Sequence, residues 1–447
     1  ASDVYKSQGY RAGLTGAVAR DGRAMACPCA PGPPLSAVYF GGAGHLAAGE
    51  AAGLSSEVPP AGKGNMRSDG FFFGLLFAAI GMGVAAAVHA EEGVSTTPLQ
   101  GFAVTANTGE KPQSKLWCHD GRWWAVLPET TGSTLWRLDD TRWTPALHLS
   151  DATASYADAR RVDGLTHVLL LGAGRGELVS LAYDAAARAY RFWPERPSSA
   201  VIPLDSGVET ATIDVDASGR LWLASDGETD IRVRWSAPPY SAWSAPLVLA
   251  TGVDSDDICV VAAFPNGDTG VLWSNQQTRR FGFRLHPGDA APADWLPEES
   301  PGAASALPVG DGMADDHMNC AVAPDGTLYA AVKTSYDTKG YPLIGLLVRR
   351  PSGTWDGLYH VDDDGTRPIA LLNEKNGAIL VAYRHGDVIV YRESAPNAIA
   401  FGPRHILMEK SGERLNNVTS TKDRFSGAIV FLASTAAPAE GVRPPLP

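Results

Sequence analysis

Asp325-Gly326-Thr327-Leu328-Tyr329-Ala330-Ala331-Val332 places a small turn residue and a glycine directly before a short apolar run. A turn followed by a β-rich run is a hairpin signal. The same arrangement recurs on both sides of it. Upstream stand Asp120-Gly121 before Trp123–Leu127, Asp163-Gly164 before His167–Leu171, Ser218-Gly219 before Leu221–Ala224 and Asn266-Gly267 before Val271–Trp273. Downstream stand Asn376-Gly377 before Ile379–Tyr383 and Ser426-Gly427 before Ile429–Ala433. The glycines are 43, 55, 48, 59, 51 and 50 residues apart, so one supersecondary unit repeats about every fifty residues.

A second marker follows the hairpins. A strand with aromatic or basic residues leads through a turn to an aromatic residue: Trp136-Arg137-Leu138 to Trp143, Leu181-Ala182-Tyr183 to Trp193, Val233-Arg234-Trp235 to Trp243. Phe283-Arg284-Leu285 leads likewise to Trp295, Leu347-Val348-Arg349 to Trp355, and Val390-Tyr391-Arg392 to Phe401. Each unit therefore reads as four short antiparallel strands. The predicted fold is an all-β, seven-bladed β-propeller. A pair of β-sandwiches would not repeat its turn signals so regularly. The seventh unit shows two clear strands, near Asn416–Thr421 and Ala428–Ala433, and lacks the aromatic marker. Leu99–Thr105 is expected to complete that last blade and remove an open edge.

The chain has 447 residues, of which 45% are hydrophobic and 19% charged, with 48 Gly and 32 Pro. This composition excludes a coiled coil and wholesale disorder. A net charge of −12 repels a polyanion on average, so nucleic acid is not an expected partner.

The first ninety residues read differently from the rest. Residues 1–65 are rich in Ala, Gly and Pro without a sustained period, and they are read as spurious upstream sequence or a disordered extension. Met66 and Arg67 precede an apolar run from Phe71 to Val88 and a small-x-small ending, Val88-His89-Ala90. That is the pattern of a signal peptide over residues 66–90, with cleavage after Ala90. The alternative, a membrane anchor, lacks a basic stop-transfer cluster. The propeller is assigned to residues 91–435 and a disordered tail to 436–447. The expected protein is secreted or periplasmic and monomeric, with no stable membrane insertion after cleavage. Its cysteines, Cys118, Cys259 and Cys320, are odd in number, so no disulfide framework organises it. They read as buried thiols, with one disulfide between Cys259 and Cys320 left open. Without Cys-x-x-Cys spacing no metal site is assigned, and no cofactor is named.

Topology sorts the polar residues. In a blade the start of the first strand and the end of the second lie on one face. That rule gathers Asp256, Asp257, Trp273, Asn275 and Gln276 from blade four. Blade five adds Asp315, Asp316, His317, Asn319, Lys333, Ser335 and Tyr336. Blade six adds Asp362–Asp364, Arg367, Tyr383, Arg384 and His385, and blade seven Asn416 and Asn417. Such a polar, aromatic-lined mouth is where propellers bind ligands. The same residue types also serve as caps and blade-to-blade ties, and the run Asp362–Asp364 reads first as a solvated turn.

Three chemistries fit this set. In elimination on an acidic polysaccharide, Arg367 with Asn417 neutralises a uronate carboxylate, His317 is the base, and Tyr336 or Tyr383 the acid. In hydrolysis, Asp257 and Asp316 form the carboxylate pair. In binding alone, Trp273 and the tyrosines stack on sugar faces, while Asn275, Gln276, Asn319, Asn417 and Lys333 read hydroxyls and charge. No nucleophile elbow, phosphate loop, dinucleotide fingerprint or zinc motif competes.

Asp315-Asp316-His317-Met318-Asn319, Leu328–Ser335, Asn416–Lys422, Val271–Gln276 and Thr366-Arg367-Pro368 resemble a family of secreted bacterial β-propellers loosely described as sialidase-like or BNR-repeat-like. The resemblance covers residues 250–435 well and 95–250 weakly. It implies a propeller in an extracytoplasmic setting and no settled activity. The repeated Asp-box of sialidases is represented only by a partial Ser352-Gly353-Thr354-Trp355. The reading is a propeller that binds or processes a carbohydrate polymer or glycan at one mouth of its channel, as a lyase or glycosidase if it is an enzyme. The alternative is a non-catalytic protein-interaction or lectin-like scaffold, which would show a flat apolar patch in place of a polar pocket.

Overall fold

The turn glycines do what their spacing implies. Asp120 and Gly121, at φ 52° and 69°, join strand Leu116–His119 to strand Arg122–Glu129. Two successive left-handed residues match the twist of a two-residue hairpin. Each of the other turn-glycine pairs likewise lies between the first and second strand of a sheet. A computed structural model describes residues 35–41, 95–105 and 112–435, apart from Ala154, Ala173 and Ser206.

The protein is an all-β propeller. Its sheets are antiparallel, and all but the closing one run outward in chain order, from an inner to an outer strand. Position in the blade is written in the burial. Second strands such as Leu221–Asp226 are buried at every residue, because blades stack on both faces. The outer strand Arg142–Ser150 buries only Trp143 and Leu149 fully, because one face meets solvent. The cores lie between blades: Trp222, Ala224 and Val233 pack with Cys259, Val271 and Trp273 across the blade three–four junction. Burial of each large side chain there contributes about 1.5–3 kcal/mol.

The expectation of seven like blades is corrected. Six blades are made of consecutive chain, over residues 116–150, 156–203, 211–251, 259–286, 318–362 and 366–408. The seventh repeat supplies only two strands, Leu415–Thr419 and Ile429–Thr435, in a closing sheet. That sheet is completed from the other end of the chain, in the order Ser95–Leu99, Leu35–Gly41, Ile429–Thr435, Leu415–Thr419. The physical reason is the edge left by Ile429–Thr435, whose backbone groups Leu35–Gly41 pairs from Leu35↔Ser434 to Phe40↔Ile429. The expected strand Leu99–Thr105 is displaced as well. After Leu99 the chain turns onto blade one, where Gln100 N–H donates to Thr141 O at 2.8 Å and Phe102 lies 4.4 Å from the Trp136 ring. The signal-peptide segment 66–90 and the tail 436–447 lie outside the described residues, as do residues 1–65 apart from the strand Leu35–Gly41.

The axis is filled. Residues 112–115 bond at once to inner strands all round the ring. Asn319 Nδ2 donates to Pro112 O at 3.2 Å, Gln113 Nε2 to Ala211 O at 3.0 Å, Thr419 Oγ1 to Gln113 O at 3.3 Å, and Lys115 Nζ to Ala157 O at 2.9 Å. Lys115 is fully buried there. The mouth singled out in the sequence thus lies above a plugged axis. Cys118, Cys259 and Cys320 are free thiols, so the open Cys259–Cys320 disulfide is excluded; only Cys259 is fully buried. Among the described residues no helix is long and apolar enough to cross a membrane.

Candidate functional site

Blade five builds the centre of the site. Asp315, Asp316 and His317 immediately precede the inner strand Met318–Val322, and Lys333 ends the second strand, Leu328–Lys333. The antiparallel ladder continues one step past the inner strand, as Lys333 N–H donates to His317 O at 2.9 Å, and so brings the two ends together. His317 Nδ1 stands 2.7 Å from Asp315 Oδ1 and 2.5 Å from Asp316 Oδ1. The Lys333 ammonium donates to Asp315 Oδ2, and Ser335 Oγ reaches the same oxygen at 3.3 Å. Nδ1 donates to the carboxylates, and in the neutral ring Nε2 is then the acceptor. Nε2 is buried and has no hydrogen-bond partner. The ligating atoms of Asp315, Asp316 and His317 lie within 4.8 Å of one another, the spacing of a cation site. The Lys333 ammonium already supplies positive charge there.

Blade six and the closing sheet carry a matched pair of irregularities. Arg367 lies in a register shift of its inner strand, Thr366–Leu372, with φ 56°. Asn417 lies in the corresponding shift of Leu415–Thr419, with φ 52°. A left-handed non-glycine residue in a bulge costs free energy and re-aims its side chain, and such residues concentrate at functional sites.

The other residues singled out in the sequence hold the fold. Asp257 is fully buried and its carboxylate accepts from Asp254 N at 2.7 Å and Gln276 N at 3.0 Å; burial pushes its carboxyl up. Trp273 is 1% exposed, and a Cβ on Gly282 would stand 2.3 Å from its ring, so it has no face to offer a sugar. Asn275 Oδ1 accepts from Thr278 N at 2.9 Å, and Gln276, half-buried, meets Asp257 through its backbone. Asn319 joins blades: besides Pro112, its Oδ1 accepts from Ala370 N at 3.1 Å. Tyr336 is 1% exposed and its hydroxyl accepts from Leu307 N at 2.9 Å. Tyr383 is fully buried and donates to Asp362, a carboxylate that also holds Arg404 at 2.6 Å and Arg392 at 3.1 Å. Burial and that carboxylate push the Tyr383 phenol far up.

The structure thus brings Asp316, His317 and Lys333 together, sets Arg367 and Asn417 in bulges, and encloses both proposed tyrosine acids. Asp315 and Arg384 fell in the mouth set without being singled out. Asp315 could have been found from its place two residues before His317, and Arg384 from its place at the end of the blade's second strand.

A propeller with an acid–histidine–lysine cluster on the mouth above its axial plug is the class that fold and site define. No family model matches the chain, and no curated protein does. Among solved structures it is similar to the polysaccharide lyase Uly1, with 10% identity over 72% of this chain and 90% of that one and a TM-score of 0.44. It is similar to a PL25 ulvan lyase bound to a GlcA–Rha3S repeat, with 9% identity over 72% and 92% and a TM-score of 0.46. An α-L-arabinanase of Penicillium chrysogenum matches with 13% identity over 63% and 93% and a TM-score of 0.38.

Proposed function

We propose that this propeller binds and processes a carbohydrate polymer at the mouth formed by the starts of its inner strands, with His317 as the proton-transferring group. The observation that carries this reading is the state of the imidazole. Nδ1 is anchored by Asp315 and Asp316, while Nε2 is buried and unpartnered. An imidazole oriented by carboxylate on one nitrogen and open on the other is arranged as a general base. Elimination fits better than hydrolysis. Asp257 is committed to backbone N–H groups and so does not serve as the second carboxylate of an Asp257–Asp316 pair. In elimination Nε2 takes the C5 proton of a uronate, the C4=C5 double bond forms, the C4–O bond breaks, and the leaving oxygen is protonated by the imidazolium or water. Arg367 neutralises the carboxylate as C5 loses its proton. The enclosed Tyr336 and Tyr383 take no part.

The extracytoplasmic setting belongs to this proposal and rests on the sequence pattern over residues 66–90 and on the family resemblance. A form cut after Ala90 loses Leu35–Gly41 and frees the edge of Ile429–Thr435 for Ser95–Leu99.

The test is a panel of acidic and neutral polysaccharides, read by the ultraviolet absorbance of unsaturated uronates and by reducing ends. His317→Ala should lower turnover by about 10²–10⁴-fold in protein that circular dichroism shows to be folded. A wild-type protein that neither binds nor cleaves any member overturns the proposal. So does a His317→Ala protein that turns over normally.

A further inference from the structure

The described chain from Arg349 to Arg424 contains eight arginines, and six of them pair with a carboxylate: Arg349 with Glu299, Arg350 with Asp356, Arg392 and Arg404 with Asp362, Arg414 with Asp387, and Arg424 with Glu374. Arg367 and Arg384 are the two that do not, among the described residues. They are also neighbours. Arg384 pairs across the ladder with Thr366, the residue before Arg367. The Nε–H of each is buried without a hydrogen-bond acceptor. Arg392 Nε is buried without a hydrogen-bond acceptor too, but it stands 3.1 Å from Asp362 Oδ2, whereas Arg367 and Arg384 have no carboxylate to offset the cost of a buried, unsatisfied charged donor. Holding two like charges side by side adds to that cost. The left-handed backbone of Arg367 adds a third contribution, at the same point. Three unfavourable features in two adjacent residues are accounted for together by one missing component, a bound anion.

We propose that Arg367 and Arg384 form a twin-guanidinium subsite for an oxyanion substituent of the polymer, a uronate carboxylate or a sulfate ester. The proposal rests on the polymer-binding reading above and names the chemistry of its ligand. Two planar forks present parallel N–H donors that match the oxygens of either group. A lysine-type point charge would not give that geometry. Burial, with the charges of Arg367 and Arg414, pushes the Arg384 guanidinium below its ordinary value, while Asp387 and Asp364 pull it back. A ligand oxyanion acts in the same direction as those carboxylates and at closer range.

The experiment is calorimetric titration of the full chain with sodium glucuronate, sodium sulfate and, as a neutral control, glucose. The wild type should bind at least one anion saturably and not glucose; which anion binds distinguishes carboxylate from sulfate ester. Arg367→Gln and Arg384→Gln should each weaken that binding by about tenfold or more, the loss of one charge-assisted hydrogen bond. Arg384→Lys keeps the charge, loses the fork and should also weaken it. Arg424→Gln, at the opposite mouth, should leave it unchanged. Absence of saturable anion binding by the wild type overturns the subsite, as does undiminished binding by both glutamine variants. The small anions make the two proposals separable. Anion binding that survives when His317→Ala leaves turnover unchanged would sink the role of His317 and keep the subsite. Polymer cleavage with no anion binding would do the reverse.

Discussion

The two mouths of the propeller handle their charges differently. At the mouth formed by inner-strand ends lies a cavity of about 500 Å³ lined by Arg160, Arg161, Lys422 and Arg424 with Asp214, Asp423 and Glu374. Its cations are all paired. Arg160 meets Asp214 at 2.7 Å, Arg161 meets Asp423 at 3.1 Å, Lys422 meets Asp158 at 2.6 Å and Arg424 meets Glu374 at 3.3 Å. At the mouth formed by inner-strand starts, Arg367 and Arg384 stand without a carboxylate and His317 keeps one nitrogen open. Paired charges between strands of different blades are ties that close the ring. Charges left open against their own cost are what the proposed ligand site is built from.

The strongest way to break this contrast is at the hub of the tied side. Asp158 is fully buried and accepts from Ser114 N at 2.9 Å, Ile213 N at 2.7 Å and Lys422 Nζ at 2.6 Å, so it joins the axial plug, blade three and the closing sheet. Asp158→Ala leaves the Lys422 ammonium without its carboxylate, bonded only to Ile213 O at 2.7 Å, and two buried N–H groups unsatisfied. It should lower stability by about 3–5 kcal/mol, read by chemical denaturation, and leave anion binding at the start mouth intact in the folded fraction. A loss below about 1 kcal/mol would mean that the ties do not hold the ring.

A smaller effect sharpens the comparison within the start side, where Asp362 is a tie between blades five and six. Burial pushes its carboxyl up, but hydrogen bonds from Arg404 and Tyr383 and the charges of Arg392 and Arg404 outweigh that and hold it at about 2. Its folded value lies below its unfolded one, near 3.9. Its stabilisation is therefore present above the unfolded value and lost as pH falls through about 2. Asp362→Asn should cost roughly 2 kcal/mol near neutrality, and the gap to wild type should close between about pH 4 and pH 2. Denaturation curves across that range check it; a gap independent of pH would show that the carboxylate charge is not what binds the arginines. The smallest effect is expected at the rim of the tied mouth. Arg424 and Glu374 are 36% and 44% exposed, and Arg424→Ala should change stability by no more than about 1 kcal/mol.

Much of the fold was legible in the chain because it is local. A turn such as Asp120-Gly121 needs left-handed backbone, and the apolar run after it needs burial on both faces, so both appear as residue types at short range. The mouth to which Asp315, Asp316, His317 and Lys333 belong was legible too, since strand direction alone puts an inner-strand start beside a second-strand end. Individual roles were less so. Trp273 and Tyr336 sit at the right height but face inward, and a strand's two faces are told apart only by what packs against them. Asp257 and Asn319 have the chemistry of site residues and the contacts of caps and ties.

By itself the sequence determined the β class, the repeat of about fifty residues, the hairpins and the clustering of polar residues at strand starts, because these depend on steps of one to ten residues along the chain. Only the tertiary structure decided that six blades form from consecutive chain and that Leu35–Gly41 covers the last edge. It alone placed residues 112–115 in the axis, and it alone separated paired arginines from unpaired ones. Those outcomes join residues tens to hundreds of positions apart. Charge and polarity specify that a partner is needed; only the folded ring determines which groups come within 3 Å of one another, and which are left open.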